Sequence, residues 1–150
     1  MKIILNIFLI LLLLLSSCVS VPPSMEDKAG DVMRLWAESW DKSDIDQMMA
    51  TYSKEIVFKF SFPGGVDIVD DWEELKAGQL ESMNSPNGIS IDLNRAEYST
   101  DGSIVTATLY LVIPASEEFS ETTMKNVFKL REVEGEWKIF NQDVSILMEE

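Results

Sequence analysis

The sequence contains 150 residues, of which 26 are acidic and 12 are basic, so its formal net charge is −14 at pH 7. Phosphate backbones and anionic lipid would repel so acidic a protein, and we therefore expect no nucleic-acid partner. Histidine is absent and Cys18 is the only cysteine, which excludes Ser-His-Asp and Cys-His catalytic sites, removes the ligands that zinc favours, and leads us to expect no cofactor.

The first 17 residues are organised like a secretory signal peptide. Lys2 precedes an apolar run that is unbroken from Ile7 to Leu15, and this run is shorter than the roughly 20 residues that cross a bilayer. The stretch Leu15-Ser16-Ser17-Cys18 resembles a bacterial lipobox. The resemblance implies cleavage before Cys18 and acylation of that residue, for example with palmitate. We therefore expect an exported protein that is lipid-anchored to the cell membrane or, in a two-membrane bacterium, to the outer membrane. The alternatives are an ordinary signal peptide with an incidental cysteine and a short membrane anchor.

Residues 18–25 are predicted to form the acylated cysteine and a linker, because Pro22-Pro23 favours an extended chain. Residues 26–150 then form one domain, whose N-terminal half contains three predicted helices. The first helix runs from about Glu26 to Asp41 and places apolar residues at helical spacing. Those residues are Ala29, Val32, Trp36 and Trp40, with Met33 and Leu35 beside them.

Polar residues mark where the other two helices begin. Ser43 can cap the second helix in a Ser-x-x-Asp box with Asp46. Asp70-Asp71 stand where the third helix starts, and negative charge there favours the positive helix N-terminus. A catalytic carboxylate pair is the alternative interpretation of these two residues.

The remaining elements are predicted strands with alternating apolar residues. The predicted strands are Glu55 to Phe62, Val66 to Val69, a strand led by Ile89, Ile91 and Leu93, and, after the hairpin signal Asp101-Gly102, the three long strands Val105 to Ile113, Met124 to Val133 and Glu136 to Met148. In the last strand, strict alternation places one set of residues on the face expected to look inward. That set is Trp137, Ile139, Asn141, Asp143 and Ser145.

The order of helices, hairpin, helix and three long hairpin-linked strands is typical of an α+β domain. Within this order, the stretches Trp36–Asp46 and Tyr52–Phe58 resemble the N-terminal part of nuclear transport factor 2-like domains, and Gly135–Ser145 is similar to the last strand of their SnoaL-like branch. The resemblance covers residues 28–148. It implies a strongly curved antiparallel sheet wrapped by three helices, with a cone-shaped cavity between them. Many members of this family are dimers that pair through the outer face of the sheet.

The chain departs from the family at two positions that bear on chemistry. SnoaL-like last strands often carry histidines where Asn141 and Asp143 stand. Ketosteroid isomerase-like members place a base Asp on the first strand near the position of Phe60, which cannot abstract a proton. The isomerase chemistry therefore does not carry over, and the fold alone cannot choose among cyclases, dehydratases, isomerases and binding modules.

Asp143 is the best single candidate for chemistry. In an apolar cavity its neutral form would be favoured by desolvation, and it could act as a base or an acid, with Asn141 and Ser145 holding a ligand or orienting it. The alternative is that Asp143 lies at a frayed end of the sheet, in water or bonded to backbone. The predicted apolar walls of the cavity are Trp36, Trp40, Phe60 and Trp72. Tyr52 is also predicted at the pocket, where it could donate its hydroxyl into the cavity or bury its ring and leave its hydroxyl at the surface.

Three functions follow from these observations. The first is a lipid-anchored envelope module that binds a small apolar molecule or a protein partner without catalysis. The second is an enzyme acting on a small organic substrate with Asp143 as general base. The third is a structural homodimer whose cavity is filled by its own side chains, with Thr106, Thr108, Tyr110 and Val112 in the interface. No lysine or arginine falls on a clearly inward position, which disfavours an anionic ligand, and no EF-hand-like spacing predicts a metal site.

Overall fold

The computed structural model describes residues 22–85, 88–116 and 120–147. Cys18 and the predicted signal peptide lie outside the described residues, so the lipid anchor stays a prediction from the sequence. Within the described residues, no helix is both long and apolar enough to cross a membrane.

The described chain begins with two helices, continues with a β-hairpin and a third helix, and ends with five further strands. The helices are α1 (Met25–Lys42), α2 (Ile45–Ala50) and α3 (Trp72–Met83), and a 3-10 helix spans Leu93–Arg95. The strands are β1 (Tyr52–Phe62), β2 (Gly65–Val69), β3 (Ser90–Ile91), β4 (Glu97–Asp101), β5 (Ile104–Ile113), β6 (Thr122–Val133) and β7 (Glu136–Leu147).

These strands form one sheet with the order β2-β1-β7-β6-β5-β3, and β4 also pairs with β5. The neighbouring strands are antiparallel except for β1 and β7, which run parallel. The predicted α+β class with a curved sheet and three helices is confirmed. The one difference is that the sheet is mixed, because the last strand returns beside the first in the same direction.

The core lies between α1 and the concave face of the sheet. Met33 and Trp36 of α1 are buried against apolar side chains of the central strands, among them Phe128 and Leu130 of β6. The alternation predicted for β5 is confirmed, because Val105, Ala107, Leu109 and Leu111 are all buried. The buried apolar residues lie between positions 29 and 144, so the chain from residue 22 onward contains the whole described core, and we expect it to fold by itself.

The helix starts follow the capping chemistry of the sequence, with one correction. Ser24 caps α1 in a box with Asp27. The prediction that Ser43 caps α2 is wrong, because Ser43 adopts a left-handed conformation (φ 52°) that ends α1. Asp44 caps α2 instead, and its side chain accepts a hydrogen bond from the backbone N–H of Gln47.

Asp71 caps α3, with its Oδ1 atom 2.8 Å from the backbone nitrogen of Glu74. This hydrogen bond supports the interpretation of Asp71 as a helix cap rather than as one of a catalytic pair.

The predicted strand led by Ile89, Ile91 and Leu93 is interrupted after two residues, Ser90–Ile91. Its continuation is replaced by a 3-10 helix, because the Asp92 side chain accepts a hydrogen bond from the backbone N–H of Asn94. Such a local bond competes directly with strand pairing.

A β-bulge at Phe140 changes the orientation of the second half of β7. Leu130 pairs with Ile139 and the preceding Lys129 pairs with Asn141, so Phe140 is an extra residue on β7. Because a strand alternates with period two, one extra residue exchanges the faces of all residues that follow it.

The predicted inward orientation of Asn141, Asp143 and Ser145 is therefore wrong. Ile139 is buried on the concave side as predicted, but beyond the bulge it is Gln142 and Val144 that are buried there. The three predicted residues point to the outer face of the sheet.

Candidate functional site

A cavity of about 390 Å³ lies between the concave face of the sheet and helices α1 and α3. This volume falls in the range of small-molecule sites. Most of its wall is apolar and is formed by Trp36, Trp40, Phe58, Phe60, Val69, Leu75, Ile89, Leu111, Ile113, Met124 and Val144. The cavity is open on one side, where the lining residues are exposed to solvent: Glu74, Gly78, Ser82, Ser85 and Gly88.

The deep wall of the cavity contains a chain of four hydrogen-bonded side chains. Trp36 Nε1 donates to the hydroxyl of Tyr52 at 2.8 Å, and this hydroxyl donates to Gln142 Oε1 at 2.6 Å. Gln142 Nε2 then donates to Asn126 Oδ1 at 2.9 Å. The exposed fractions are 1% for Trp36, 3% for Tyr52, 2% for Gln142 and 1% for Asn126. We call this set the polar chain.

The polar chain leaves one amide group free at its end. Nδ2 of Asn126 is buried and has no hydrogen-bond partner among the described residues. Nε1 of Trp40, another cavity-lining residue, is in the same situation. Buried polar groups are normally hydrogen-bonded, so these two unpartnered N–H groups are polar features that a bound molecule could use.

Burial keeps the hydroxyl of Tyr52 in its neutral form. Desolvation raises the pKa of Tyr52 far above its ordinary value, and the hydrogen bond from Trp36 lowers it by less. Tyr52 therefore acts as a hydrogen-bond donor at physiological pH, and its hydroxyl keeps donating to Gln142 Oε1 in the polar chain.

The cavity contains little ionisable chemistry. Glu74 is the one ionisable side chain among the described residues that line it, and it is exposed at the open side. The described residues also contain no group of acidic, cysteine or histidine side chains that could hold a metal ion.

The predicted wall residues lie in three different places. Trp36, Trp40 and Phe60 line the cavity. Tyr52 lies behind the wall and contacts the cavity only through the polar chain. Trp72 lines a separate open pocket of about 740 Å³ together with Tyr52, where the Lys54 ammonium lies 2.9 Å from the centre of the Trp72 ring.

The predicted polar residues of the site lie outside it. Asp143 sits on the outer face of β7, across from Val127 of β6 and Lys59 of β1. Asn141 shares that face, and its Nδ2 atom lies 3.5 Å from the carbonyl oxygen of Val57. Ser145 pairs with Ser61 and also points outward. The candidate base and its two predicted neighbours are therefore not brought to the cavity.

Sequence reasoning missed the amides that line the cavity, Asn126, Gln142 and Gln79. One signal could have identified Asn126: it interrupts the alternating apolar series Met124, Phe128 and Leu130 on β6. A polar residue at a core position of a strand needs a partner or a ligand. Gln142 gave no such signal, because the bulge at Phe140 shifts it to the face that alternation predicts to be outward.

Comparison with known proteins agrees with this architecture. The family model of the SnoaL-like domain matches residues 30–149. No curated protein matches the chain.

Solved structures share the fold at low sequence identity. An NTF2-like protein of unknown function from Pseudomonas putida KT2440 is 15% identical with a TM-score of 0.68, over 84% of this chain and 90% of that chain. An NTF2-like protein of unknown function from Shewanella oneidensis MR-1 is 13% identical with a TM-score of 0.64, over 81% of this chain and 99% of that one. A protein of the NTF2-like family from Streptomyces avermitilis, provisionally described as a dehydratase, is 14% identical with a TM-score of 0.63, over 86% and 100% of the two chains. Structural similarity at this level of sequence identity shows the fold alone. The family model, in contrast, matches most of the chain, and the chain therefore belongs to the SnoaL-like domain family.

Proposed function

We propose that this protein is a lipid-anchored module of the cell envelope that binds a small, mainly apolar molecule in its cavity without catalysis. The lipid anchor rests on the lipobox-like stretch that ends at Cys18. The binding function rests on the cavity, and the single observation that carries it is an apolar space of about 390 Å³ that opens to solvent.

The cavity favours binding over a purely structural role. A structural module would fill the space between helices and sheet with its own side chains, as protein interiors normally do. Here Trp36, Trp40 and Phe60 instead line an open space. A cavity with apolar walls stabilises a ligand mainly by removing its apolar surface from water.

The position of the carboxylates favours binding over catalysis. A general base must come within hydrogen-bond reach of the proton that it removes. Asp143 lies on the opposite side of β7 from the cavity-lining Gln142 and Val144, and Glu74 is exposed at the open side. Among the described residues, none that lines the buried part of the cavity can serve as a base for proton abstraction, and the alternative of an enzyme that uses Asp143 is therefore not part of the proposal.

Homodimer formation through the outer face of the sheet is compatible with binding and is part of the same proposal. That face carries Thr106, Thr108, Tyr110 and Val112 on β5, which alternate with the buried residues of the strand. Sedimentation equilibrium of the chain from residue 22 onward measures the mass in solution, and a monomer at all concentrations would contradict this part.

Gly78 provides a direct test of binding in the cavity. It lies on α3 at the open side, and a Cβ atom added there meets nothing within 4 Å. Long helical side chains point back over the preceding turn, which here contains the lining residues Glu74 and Leu75. Gly78→Phe should therefore place its ring in the cavity, whereas Gly78→Ala adds one methyl group.

The experiment is a fluorescence titration of the chain from residue 22 onward with the neutral dye N-phenyl-1-naphthylamine. We expect saturable one-to-one binding to the wild type and to Gly78→Ala, and loss of binding in a folded Gly78→Phe variant. Absence of saturable binding in the wild type, or equal binding by Gly78→Phe, would contradict the proposal.

A further inference from the structure

We propose that the ligand of this cavity is an uncharged molecule with a hydrogen-bond acceptor, such as a carbonyl oxygen, and that Nδ2 of Asn126 donates to this oxygen. The inference rests on the proposed binding function and specifies the ligand class. It follows from the direction of the polar chain, which is set by the indole N–H of Trp36 at the opposite end of the chain from Asn126.

Trp36 fixes that direction because an indole N–H can only donate. The Tyr52 oxygen accepts from Trp36, so its own hydrogen is free to donate to the 2.6 Å partner, Gln142 Oε1. The Gln142 amide must then direct Nε2 towards Asn126, whose Oδ1 accepts at 2.9 Å. Asn126, a cavity-lining residue, is thereby left with an N–H group that has no partner among the described residues, while its Oδ1 atom already accepts from Gln142.

The reverse orientation of the two amides is disfavoured. If Gln142 directed Nε2 at Tyr52, the Tyr52 oxygen would accept twice and its own hydrogen would have no acceptor. An unsatisfied donor at a residue that is 3% exposed carries the full cost of desolvation. The orientation of Asn126 therefore follows from hydrogen-bond chemistry.

Trp40 adds a second donor of the same kind. Two buried polar atoms of cavity-lining residues lack a partner among the described residues, Asn126 Nδ2 and Trp40 Nε1, and both are donors. A ligand that accepts hydrogen bonds satisfies them, whereas an amine or ammonium group would bring donor against donor.

The charge of the surroundings excludes the ionised acceptors. No lysine or arginine occurs among the described residues that line the cavity, and the protein carries a formal net charge of −14. A carboxylate or phosphate would enter an apolar space without a countercharge, which is costly. An uncharged acceptor such as a ketone, ester or amide oxygen fits both the donors and the charge.

The test compares two neutral probes of nearly equal shape, 2-acetylnaphthalene and 2-isopropylnaphthalene, of which only the first has an acceptor. Their dissociation constants are measured for the wild type, for Asn126→Leu and for Asn141→Leu. Asn141→Leu is the matched control, because Asn141 lies on the outer face of the neighbouring strand. We expect the preference for the ketone to fall about tenfold in Asn126→Leu and to stay unchanged in Asn141→Leu.

A second measurement does not depend on a variant that folds. The infrared carbonyl stretch of 2-acetylnaphthalene bound to the wild type should lie at a lower wavenumber than that of the ketone in hexane, because a hydrogen bond weakens the C=O bond. A stretch equal to that in hexane, or an equal preference for the ketone in the wild type and Asn126→Leu, would overturn the inference while leaving the binding function intact. Failure of both probes to bind the wild type would instead overturn the proposed function and this inference with it.

Discussion

The side chains of Gln142 and Asn126 are joined by a 2.9 Å hydrogen bond although they are not opposite each other in the sheet. Gln142 pairs with Phe128, and Asn126 pairs with Val144. The bond therefore runs diagonally between β7 and β6, which long side chains can span. It links the Trp36–Tyr52–Gln142 part of the polar chain to Asn126, whose amide is the last group of the chain.

The first prediction concerns the stability that this link provides. Gln142→Leu removes the acceptor of the Tyr52 hydroxyl and the donor to Asn126 Oδ1, and leaves two buried polar groups unsatisfied. We expect a loss of about 3 kcal/mol in the free energy of unfolding, measured by urea denaturation. Ser145→Ala, on the outer face of the same strand, is the control and should change it by less than about 0.5 kcal/mol. A loss for Gln142→Leu no larger than that of the control would show that the polar chain is not formed.

The second prediction is a pH dependence that originates at Tyr52. Burial raises the pKa of Tyr52 above its ordinary value of 10.0. Below pH 10 both the folded and the unfolded state keep the proton on Tyr52, and its contribution to the free energy of unfolding is fully present. Above pH 10 the unfolded chain releases the proton while the folded protein retains it, so the free energy of unfolding should fall by about 1.4 kcal/mol per pH unit from this group.

Tyr52→Phe removes this titration. The difference in the free energy of unfolding between the wild type and Tyr52→Phe should therefore shrink as the pH rises above 10. Tyr110→Phe, on the outer face of β5, serves as the control for losing a tyrosine hydroxyl. A difference for Tyr52→Phe that stays constant between pH 8 and pH 11 would argue against a buried, neutral Tyr52.

The third prediction separates capping from catalysis at Asp70-Asp71. Asp71 accepts a hydrogen bond from the Glu74 backbone N–H, so Asp71→Ala should lower the free energy of unfolding by about 1 kcal/mol. Asp70→Ala removes a neighbouring carboxylate that is not the cap and should lower it by less than about 0.5 kcal/mol. Equal losses for the two variants in urea denaturation would contradict the assignment of Asp71 as the cap.

The fourth prediction concerns Gly78 and the stability of α3. A Cβ atom at this helical position meets nothing within 4 Å, and alanine is a better helix former than glycine. Gly78→Ala should therefore raise the free energy of unfolding by about 0.5–1 kcal/mol. If the variant is less stable than the wild type in urea denaturation, the position is not open and the cavity is smaller than described.

The fifth prediction tests the anchor. Acylated Cys18 would hold the protein at a membrane through its lipid chains, so Cys18→Ala should move the protein out of the membrane fraction and abolish labelling by a metabolic acyl probe. Cys18→Ala protein that stays wholly with the membranes would contradict lipid anchoring.

The order of helices and strands could be predicted from the sequence because local signals decide it. Alternation in β5 and apolar spacing in α1 gave elements close to those observed. Two local hydrogen bonds were harder to anticipate. The bond from the Asn94 backbone N–H to Asp92 interrupts a predicted strand, and the bond from the Gln47 backbone N–H to Asp44 places the cap of α2 one residue after Ser43. Several neighbouring polar residues can accept a hydrogen bond from the same backbone N–H groups, as Ser43 and Asp44 can at the start of α2. The sequence alone does not show which of them does so.

The candidate site was less predictable, because one residue decides which face of β7 looks inward. The bulge at Phe140 is set by pairing with β6 and β1, and nothing in the local sequence marks it. Without the bulge, Asp143 would have faced the cavity in place of Gln142. Asn126 was within reach of sequence reasoning, since its place in an apolar alternation is visible without knowledge of the pairing.

The most direct test of the account is native mass spectrometry of the chain from residue 22 onward, purified from an extract of the cells in which it occurs. We expect a reproducible bound mass of an uncharged organic molecule in the wild type and in Gly78→Ala, and its absence in Gly78→Phe. A wild-type protein without bound mass that also fails to bind N-phenyl-1-naphthylamine would contradict the claim that the cavity is a binding site.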